Sequence, residues 1–154
     1  MEFTALSSFV NKEIVDAFKI VWDNLGAPGA WWTGSQRIAI ANKVRTSEPR
    51  PLWDRPPSIN ELSDETDGVL TFFELGVVER VTVQPSSISL EIYECIVERM
   101  GEDKYAELAS VVSQVVPIDH LHDALGLEKE NLPVPIGGDI TRERPDGLVD
   151  GVGF

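Results

Sequence analysis

The segment 88–100 carries the densest set of side chains that could hold a cation. Glu91, Glu94 and Glu98 follow one another there at helical spacing. Carboxylate oxygens so placed can share a calcium or magnesium ion. No histidine joins the set, however, and acids at this spacing are typical of an ordinary solvated helix face. The pattern favours a surface stripe, so we predict neither a metal site nor a cofactor.

The thiol and the two imidazoles offer little more chemistry. Cys95 is the single cysteine, so an intrachain disulfide is impossible and a reducing compartment, the cytoplasm, is the simplest prediction. His120 and His122 stand two residues apart and point in different directions on a helix, whereas a two-histidine metal face needs i and i+4. The sequence has no Gly-rich phosphate loop, no Gly-x-Ser-x-Gly and no Cys-x-x-Cys. Motifs alone therefore assign no enzyme class.

The charge of the chain argues against two classes of partner. There are 26 acidic and 13 basic residues, which give a formal net charge of -13. Such a chain repels a phosphate backbone and an anionic membrane surface alike. We therefore expect no nucleic acid and no membrane as partner. The nearest approach to a basic patch is Arg45, Arg50 and Arg55, in a proline-rich stretch.

The elements that would position these residues are helices, and we predict an all-α fold. The longest apolar-rich segment, 101–127, is apolar nearly all round between Leu108 and Leu121, which is typical of a helix buried at the centre of a core. Its paired β-branched valines could indicate a strand, but the helical spacing from Tyr105 to Leu125 favours a helix. Pro117 in its middle predicts a kink, or two helices that meet at Val116.

Four more helices are predicted around this one. The first follows a cap at Ser7 or Ser8 and ends at Gly26, and the second is opened by a capping box between Thr33 and Gln36 and runs to about residue 45. The third spans about 65–83 and the fourth about 88–100. Between the second and third helices, the proline-rich segment 46–62 predicts a loop packed by Leu52 and Trp53. We expect a helical domain at 1–127 and an extended Pro/Gly-rich tail at 128–154.

Five short sequence blocks can be compared with known families: WWTGSQRIAIA at 31–41, KYAEL at 104–108, VPID at 116–119, ALG at 124–126 and LPVP at 132–135. In this order they resemble the AhpD-like, carboxymuconolactone decarboxylase-related superfamily over roughly residues 31–145. The resemblance implies an AhpD-like helical bundle that forms oligomers. It also implies, for peroxidase members, the motif Glu-x-x-Cys-x-x-Cys-x-x-x-His, in which one thiolate attacks the peroxide and the second resolves it. This chain lacks that motif.

Aligning the blocks places the reactive segment of the family at about 72–82, FFELGVVERVT. The ionisable acids there are Glu74 and Glu79, and no cysteine or histidine stands among them. Cys95 follows later and has no second thiol with which to complete a dithiol cycle. Some relatives resemble this chain in a cysteine-free first half and carry the redox pair in a second half. The chain is then either such a half or a divergent single-domain member.

The resemblance leads to two functional hypotheses. The first is a helical AhpD-like protein without thiol peroxidase activity, either a non-redox half or a stand-alone binding module for a small molecule. The alternative is a decarboxylase-type enzyme in which Glu79 or Glu74, in an apolar site, acts as general acid or base on a small carboxylated substrate. Its pocket would be lined by Trp32, Phe73, Glu79 and Asp119. An unrelated helical interaction protein is the third possibility.

Two structural expectations complete the sequence analysis. Arg37 should pair with Glu107 on the central helix, because a charge that faces an apolar helix needs a partner. The chain should also self-associate, most simply as a two-fold dimer, through the apolar side of the third or fourth helix and the tail. The tail has four apolar side chains to cover: Leu132, Val134, Ile136 and Ile140.

Overall fold

The computed structural model describes residues 3–49, 51, 57–66 and 68–144. Within them the chain forms five α-helices: α1 Lys12–Leu25, α2 Gly34–Thr46, α3 Phe72–Val83, α4 Leu90–Met100 and α5 Glu102–Leu125. Short 3-10 helices occupy Leu6–Ser8, Ile59–Glu61 and Pro85–Ser87. The described residues contain no strand, and an isolated β-bridge joins Thr66 to Thr71. The prediction of an all-α fold is confirmed.

The long helix α5 lies at the centre of the bundle and contacts each of the other four helices. Its buried residues are Leu108, Val111, Val112, Val115, Ile118, Asp119 and His122. They recur every three or four residues, so they form one stripe rather than a surface buried all round. Ser110, Ser113 and His120 on the other side are exposed. The central position is therefore confirmed, and the expectation of burial on nearly every side is wrong.

Pro117 lies inside α5, which continues through it as one helix. The alternative of two helices that meet at Val116 is therefore wrong. The proline removes the hydrogen bond to the carbonyl of Ser113, and both residues are exposed, so water can reach that carbonyl. Val115 and Ile118 on either side are buried in the core, and this packing holds the helix together across the defect.

The first helix starts later than predicted. Leu6–Ser8 forms a 3-10 turn instead, and α1 begins at Lys12 because the side chain of Asn11 accepts a hydrogen bond from the backbone N–H of Glu13. At α2 the capping box between Thr33 and Gln36 is confirmed, with both reciprocal hydrogen bonds present.

The third helix also starts later, at Phe72 instead of about residue 65. Thr71 and Glu74 form a second capping box that fixes this start. The turn before it is held by the backbone N–H of Phe72, which donates to the carbonyl of Glu65. Leu70 is buried from this turn, and Val69 is exposed. The apolar residues before the capping box therefore belong to a loop that packs on the bundle.

Helix α4 is peripheral, as predicted, and begins at Leu90 because Ser89 caps it. It contacts α5 and the 3-10 helix Ile59–Glu61. Ile96 is its one buried residue among those described. The three acids of the predicted surface stripe are exposed on its outer side: Glu91, Glu94 and Glu98.

Beyond α5 the described chain runs without regular secondary structure to residue 144 and lies along the bundle. The indole N–H of Trp22 donates to the carbonyl of Asn131 at 2.8 Å. The backbone N–H of Ile136 donates to Gly26, and that of Arg142 donates to Ala30. This segment thereby fastens α1 to the turn that leads into α2. The predicted roles of Leu52, Trp53, Arg50 and Arg55, and the tail beyond residue 144, lie outside the described residues.

Candidate functional site

Glu74 is held in a structural cluster between α3 and α5. One carboxylate oxygen accepts from the backbone N–H of Thr71 at 2.8 Å, and the other accepts from Lys104 Nζ at 2.6 Å. The ammonium of Lys104 lies 4.1 Å from the centre of the Trp32 ring, whose indole N–H donates to the carbonyl of Lys104. Both carboxylate oxygens are thus occupied, and Trp32 is fully buried. The arrangement anchors α5 to α3 and leaves Glu74 poorly placed to exchange a proton with a substrate.

Asp119 is likewise engaged in an ion pair. Arg45 donates to both of its carboxylate oxygens, at 2.8 and 2.7 Å, in the bidentate geometry that suits a guanidinium. Arg45 also donates to the carbonyl of Glu130 and lies 5.4 Å from the centre of the Trp22 ring. The pair therefore joins α2, α5 and the tail.

Phe73 lies in the core rather than in a pocket wall. Its ring is buried, and the guanidinium of Arg99 stacks on it at 3.7 Å from the ring centre. Arg99 donates to the carbonyls of Ile59 and Leu62 and pairs with Asp64. The four residues expected to line one pocket are thus distributed: Glu79 and Asp119 border separate cavities, and Trp32 and Phe73 are packed into the core.

Arg37 and Glu107 lie together between α2 and α5. Arg37 Nε is 3.8 Å from Glu107 Oε1, which is close enough for an ion pair, and neither of these two atoms has a hydrogen-bond partner. Burial lowers the pKa of Arg37, and the charge of Glu107 offsets part of this effect. Glu107 Oε2 also accepts a hydrogen bond from the backbone N–H of Trp31, at an N···O distance of 2.7 Å. A Cβ on Gly29 would lie 1.7 Å from Glu107 Oε1, so this glycine admits the carboxylate.

Glu79 is a predicted catalytic acid that borders a cavity. It faces α2, where Lys43 Nζ donates to its carboxylate at 2.7 Å. Both residues border a cavity of about 250 Å³ between α3 and the loop before it. Most of the wall is apolar and is formed by Leu62, Phe72, Leu75, Gly76 and Val83. We take this cavity, with Lys43, Glu79 and Arg80 on its border, as the candidate site.

Arg80 is a functional candidate that the sequence analysis missed. It borders the same cavity and is only 7% exposed. Its position is readable from the spacing, because Phe73, Val77 and Arg80 fall on one helical stripe and the first two are buried. A charged residue on an otherwise apolar helical stripe is the sequence pattern that could have identified Arg80 as a buried cation.

The surroundings of Cys95, His120 and His122 do not indicate a catalytic role for these residues. The thiol of Cys95, on α4, donates to the side-chain oxygen of Asn60 at 2.7 Å, which uses the protonated thiol and not the nucleophilic thiolate. His122 is fully buried, with Nδ1 2.8 Å from the carbonyl of Ile118, and His120 is exposed. In the described part of the chain, no three His, Cys, Asp or Glu side chains group as metal ligands would.

Two further observations bear on what the chain is. No described helix has the length and apolar character needed to cross a bilayer. In comparisons with known proteins, no family model, no curated protein and no solved structure matches this chain.

Proposed function

We propose that this chain is a non-redox, AhpD-like helical protein that acts by binding a small molecule, either alone or as the half of a longer protein that lacks the redox cysteine pair. The observation that carries the proposal is that the chain has one cysteine, whose thiol is engaged in a hydrogen bond. Cys95 is the single cysteine, and its S–H donates a hydrogen bond to the side chain of Asn60. Thiol peroxidase turnover within a chain needs a thiolate and a resolving thiol.

The resemblance in ordered sequence blocks and the all-helical bundle support the assignment to this superfamily. The cavity beside α3 supports the binding role, because it combines apolar walls with a few charged groups, as small-molecule sites do. A lone cysteine supports a reducing location, which we propose to be the cytoplasm.

The test is peroxide turnover with a dithiol reductant. We expect the purified protein to consume hydrogen peroxide no faster than Cys95→Ser does, because the S–H of Cys95 is held as a donor to Asn60, whereas attack on the peroxide needs a thiolate, and the chain carries no resolving thiol. Turnover that is well above the background and is lost in Cys95→Ser would overturn the proposal. Asn60→Ala serves as the control, since it frees the thiol from its hydrogen bond without adding a resolving cysteine.

A second function, the decarboxylase-type enzyme, is favoured by one observation: Glu79 borders the cavity and is paired with Lys43, which could bind a substrate carboxylate. Glu74, the other candidate, has both oxygens engaged. If decarboxylation of a small carboxylated substrate is detected by carbon dioxide release, Glu79→Gln should abolish it while the fold persists. Glu74→Gln should instead lower the free energy of unfolding by roughly 1–3 kcal/mol, because Lys104 loses its charged partner, while glutamine can still close the capping box as Gln36 does in α2. Equal turnover in the wild type and Glu79→Gln would exclude Glu79 as the acid or base.

A further inference from the structure

Arg80 is a buried cation without a buried anion. Its Nη2 donates to the carbonyl of Pro57 at 2.9 Å, and its Nη1 is 3.5 Å from the hydroxyl oxygen of Ser87. Both acceptors are neutral, and among the described residues no carboxylate pairs with Arg80. Desolvation lowers the pKa of Arg80 with no opposing charge. Four other arginines do pair with carboxylates: Arg37, Arg45, Arg99 and Arg144.

The guanidinium has room for a further acceptor. A guanidinium carries five N–H donors in a planar fork. One of them makes a close hydrogen bond here and a second makes a bond at the limit of hydrogen-bonding distance. Pro57, which receives the close bond, borders the candidate cavity together with Arg80. The guanidinium is therefore bonded to a residue of the cavity wall.

The cavity beside this cation is apolar and small. Leu62 closes one wall because Gly76 has no side chain, and a Cβ there would lie 2.2 Å from a Leu62 methyl. Phe72 is partly exposed at the border. The volume of about 250 Å³ is below the roughly 300–1,000 Å³ of sites for drug-sized ligands. A single ring or a short alkyl chain is the size of group that fits.

We propose that this cavity binds an apolar monocarboxylic acid, with the carboxylate on Arg80 and the ring or alkyl group against Leu62, Phe72 and Leu75. The planar fork of Arg80 matches a carboxylate, and a buried cation gains most from a ligand that brings the missing charge. The neighbouring acid, Glu79, is paired with Lys43, so its charge is compensated. Apolar walls select against inorganic anions, which would lose their hydration there. The inference rests on the binding role proposed above and names its ligand class.

The direct test is a titration of the labelled protein with benzoate, followed by two-dimensional NMR of the backbone and arginine side-chain N–H groups. We expect saturable shifts on α3 and at Arg80 Nε–H. Benzamide has the same ring without the charge, and inorganic phosphate has the charge without the ring. Both should bind at least about tenfold more weakly than benzoate, the factor that corresponds to one charge-assisted hydrogen bond.

Variants distinguish a loss of benzoate binding from a general loss of structure. Arg80→Gln should weaken benzoate binding by about tenfold or more. The matched control is Arg45→Gln, because Arg45 also donates to a backbone carbonyl and lies over an aromatic ring but borders a different cavity. It should leave benzoate affinity within about threefold of wild type, less than a single hydrogen bond contributes. If Arg80→Gln fails to fold, Leu75→Trp provides the second variant, because it fills the cavity and should abolish binding.

Each outcome decides the inference. Absence of saturable shifts with wild type, equal binding of benzamide or phosphate, or equal affinity of Arg80→Gln and wild type overturns it, and so does benzoate binding that survives in Leu75→Trp. These results leave the proposed absence of thiol turnover untouched. Conversely, peroxide turnover that depends on Cys95 overturns the non-redox role while the benzoate titration stays readable.

Discussion

Several acidic residues that could act as catalytic groups instead hold helices together through ion pairs. Glu74, Asp119 and Glu107 are acids near the core, and each is held by a cation from another helix. Removing one partner of such a pair leaves a buried charge uncompensated, which costs more than the pair itself contributes. Arg80 departs from this pattern, and that departure identifies the candidate ligand site.

The two tyrosines are the residues for which a pH dependence follows directly. Tyr93 on α4 and Tyr105 on α5 meet edge to face with ring centres 5.8 Å apart. Desolvation raises the pKa of both phenols above the ordinary 10.0, with a further contribution from Glu102 at Tyr93 and from Tyr93 at Tyr105. We predict that tyrosinate absorbance in the folded chain appears above the pH at which the urea-unfolded chain shows it.

The same shift sets the sign of a stability change. Above pH 10 the folded chain keeps phenolic protons that the unfolded chain has released, so the free energy of unfolding falls as pH rises through the raised pKa values. Urea unfolding across this range should show a shallower fall in Tyr105→Phe than in wild type. Coincident titration of the folded and unfolded chains would contradict the prediction.

At the scale of elements, helix starts depend on local capping more than on the run of apolar residues. Thr33 and Gln36 open α2, as their spacing indicates. Thr71 and Glu74 have the same spacing and open α3, but the apolar residues before them, Val69 and Leu70, extended the predicted helix too far. A capping box competes locally with continued helix, and here it prevails because Leu70 reaches the core from the turn.

Helix α5 illustrates the opposite balance, in which packing overrides a local defect. A proline inside a helix costs roughly 3 kcal/mol in isolation. Pro117 is nevertheless accommodated in a helix of 24 residues that contacts every other helix. Burial of the stripe from Leu108 to His122 offsets the missing hydrogen bond.

At the scale of the whole molecule, exposed apolar side chains bear on self-association, which we propose as a two-fold dimer. Leu90 on α4 is 70% exposed and borders an apolar surface cavity with Tyr93 and Tyr105. Val134 and Ile136 on the tail are exposed as well, although the backbone of Ile136 is bonded to Gly26. Closed pairs are the commonest arrangement for small soluble chains, and acids can remain at the rim of an apolar contact.

Light scattering after size exclusion at micromolar concentration checks this prediction. We expect a mass of twice the 17.0 kDa of one chain. Leu90→Arg should restore the monomer mass by placing a charge in the contact, whereas Ile20→Arg, at an exposed apolar position of α1, should not. A wild-type mass of one chain would refute self-association.

The sequence by itself determined the helical class, the central position of the long helix, the capping box of α2 and the peripheral place of α4. These follow from periodicity and capping, which act over a few neighbouring residues. It also shows that this chain holds one thiol, where an intrachain dithiol cycle needs two. The tertiary structure decided which acids are neutralised and which cation is left with neutral partners, since Lys104, Arg45 and Lys43 reach their carboxylates across 30 or more residues of chain. Such pairings depend on how the helices pack, and no local pattern in the chain encodes them.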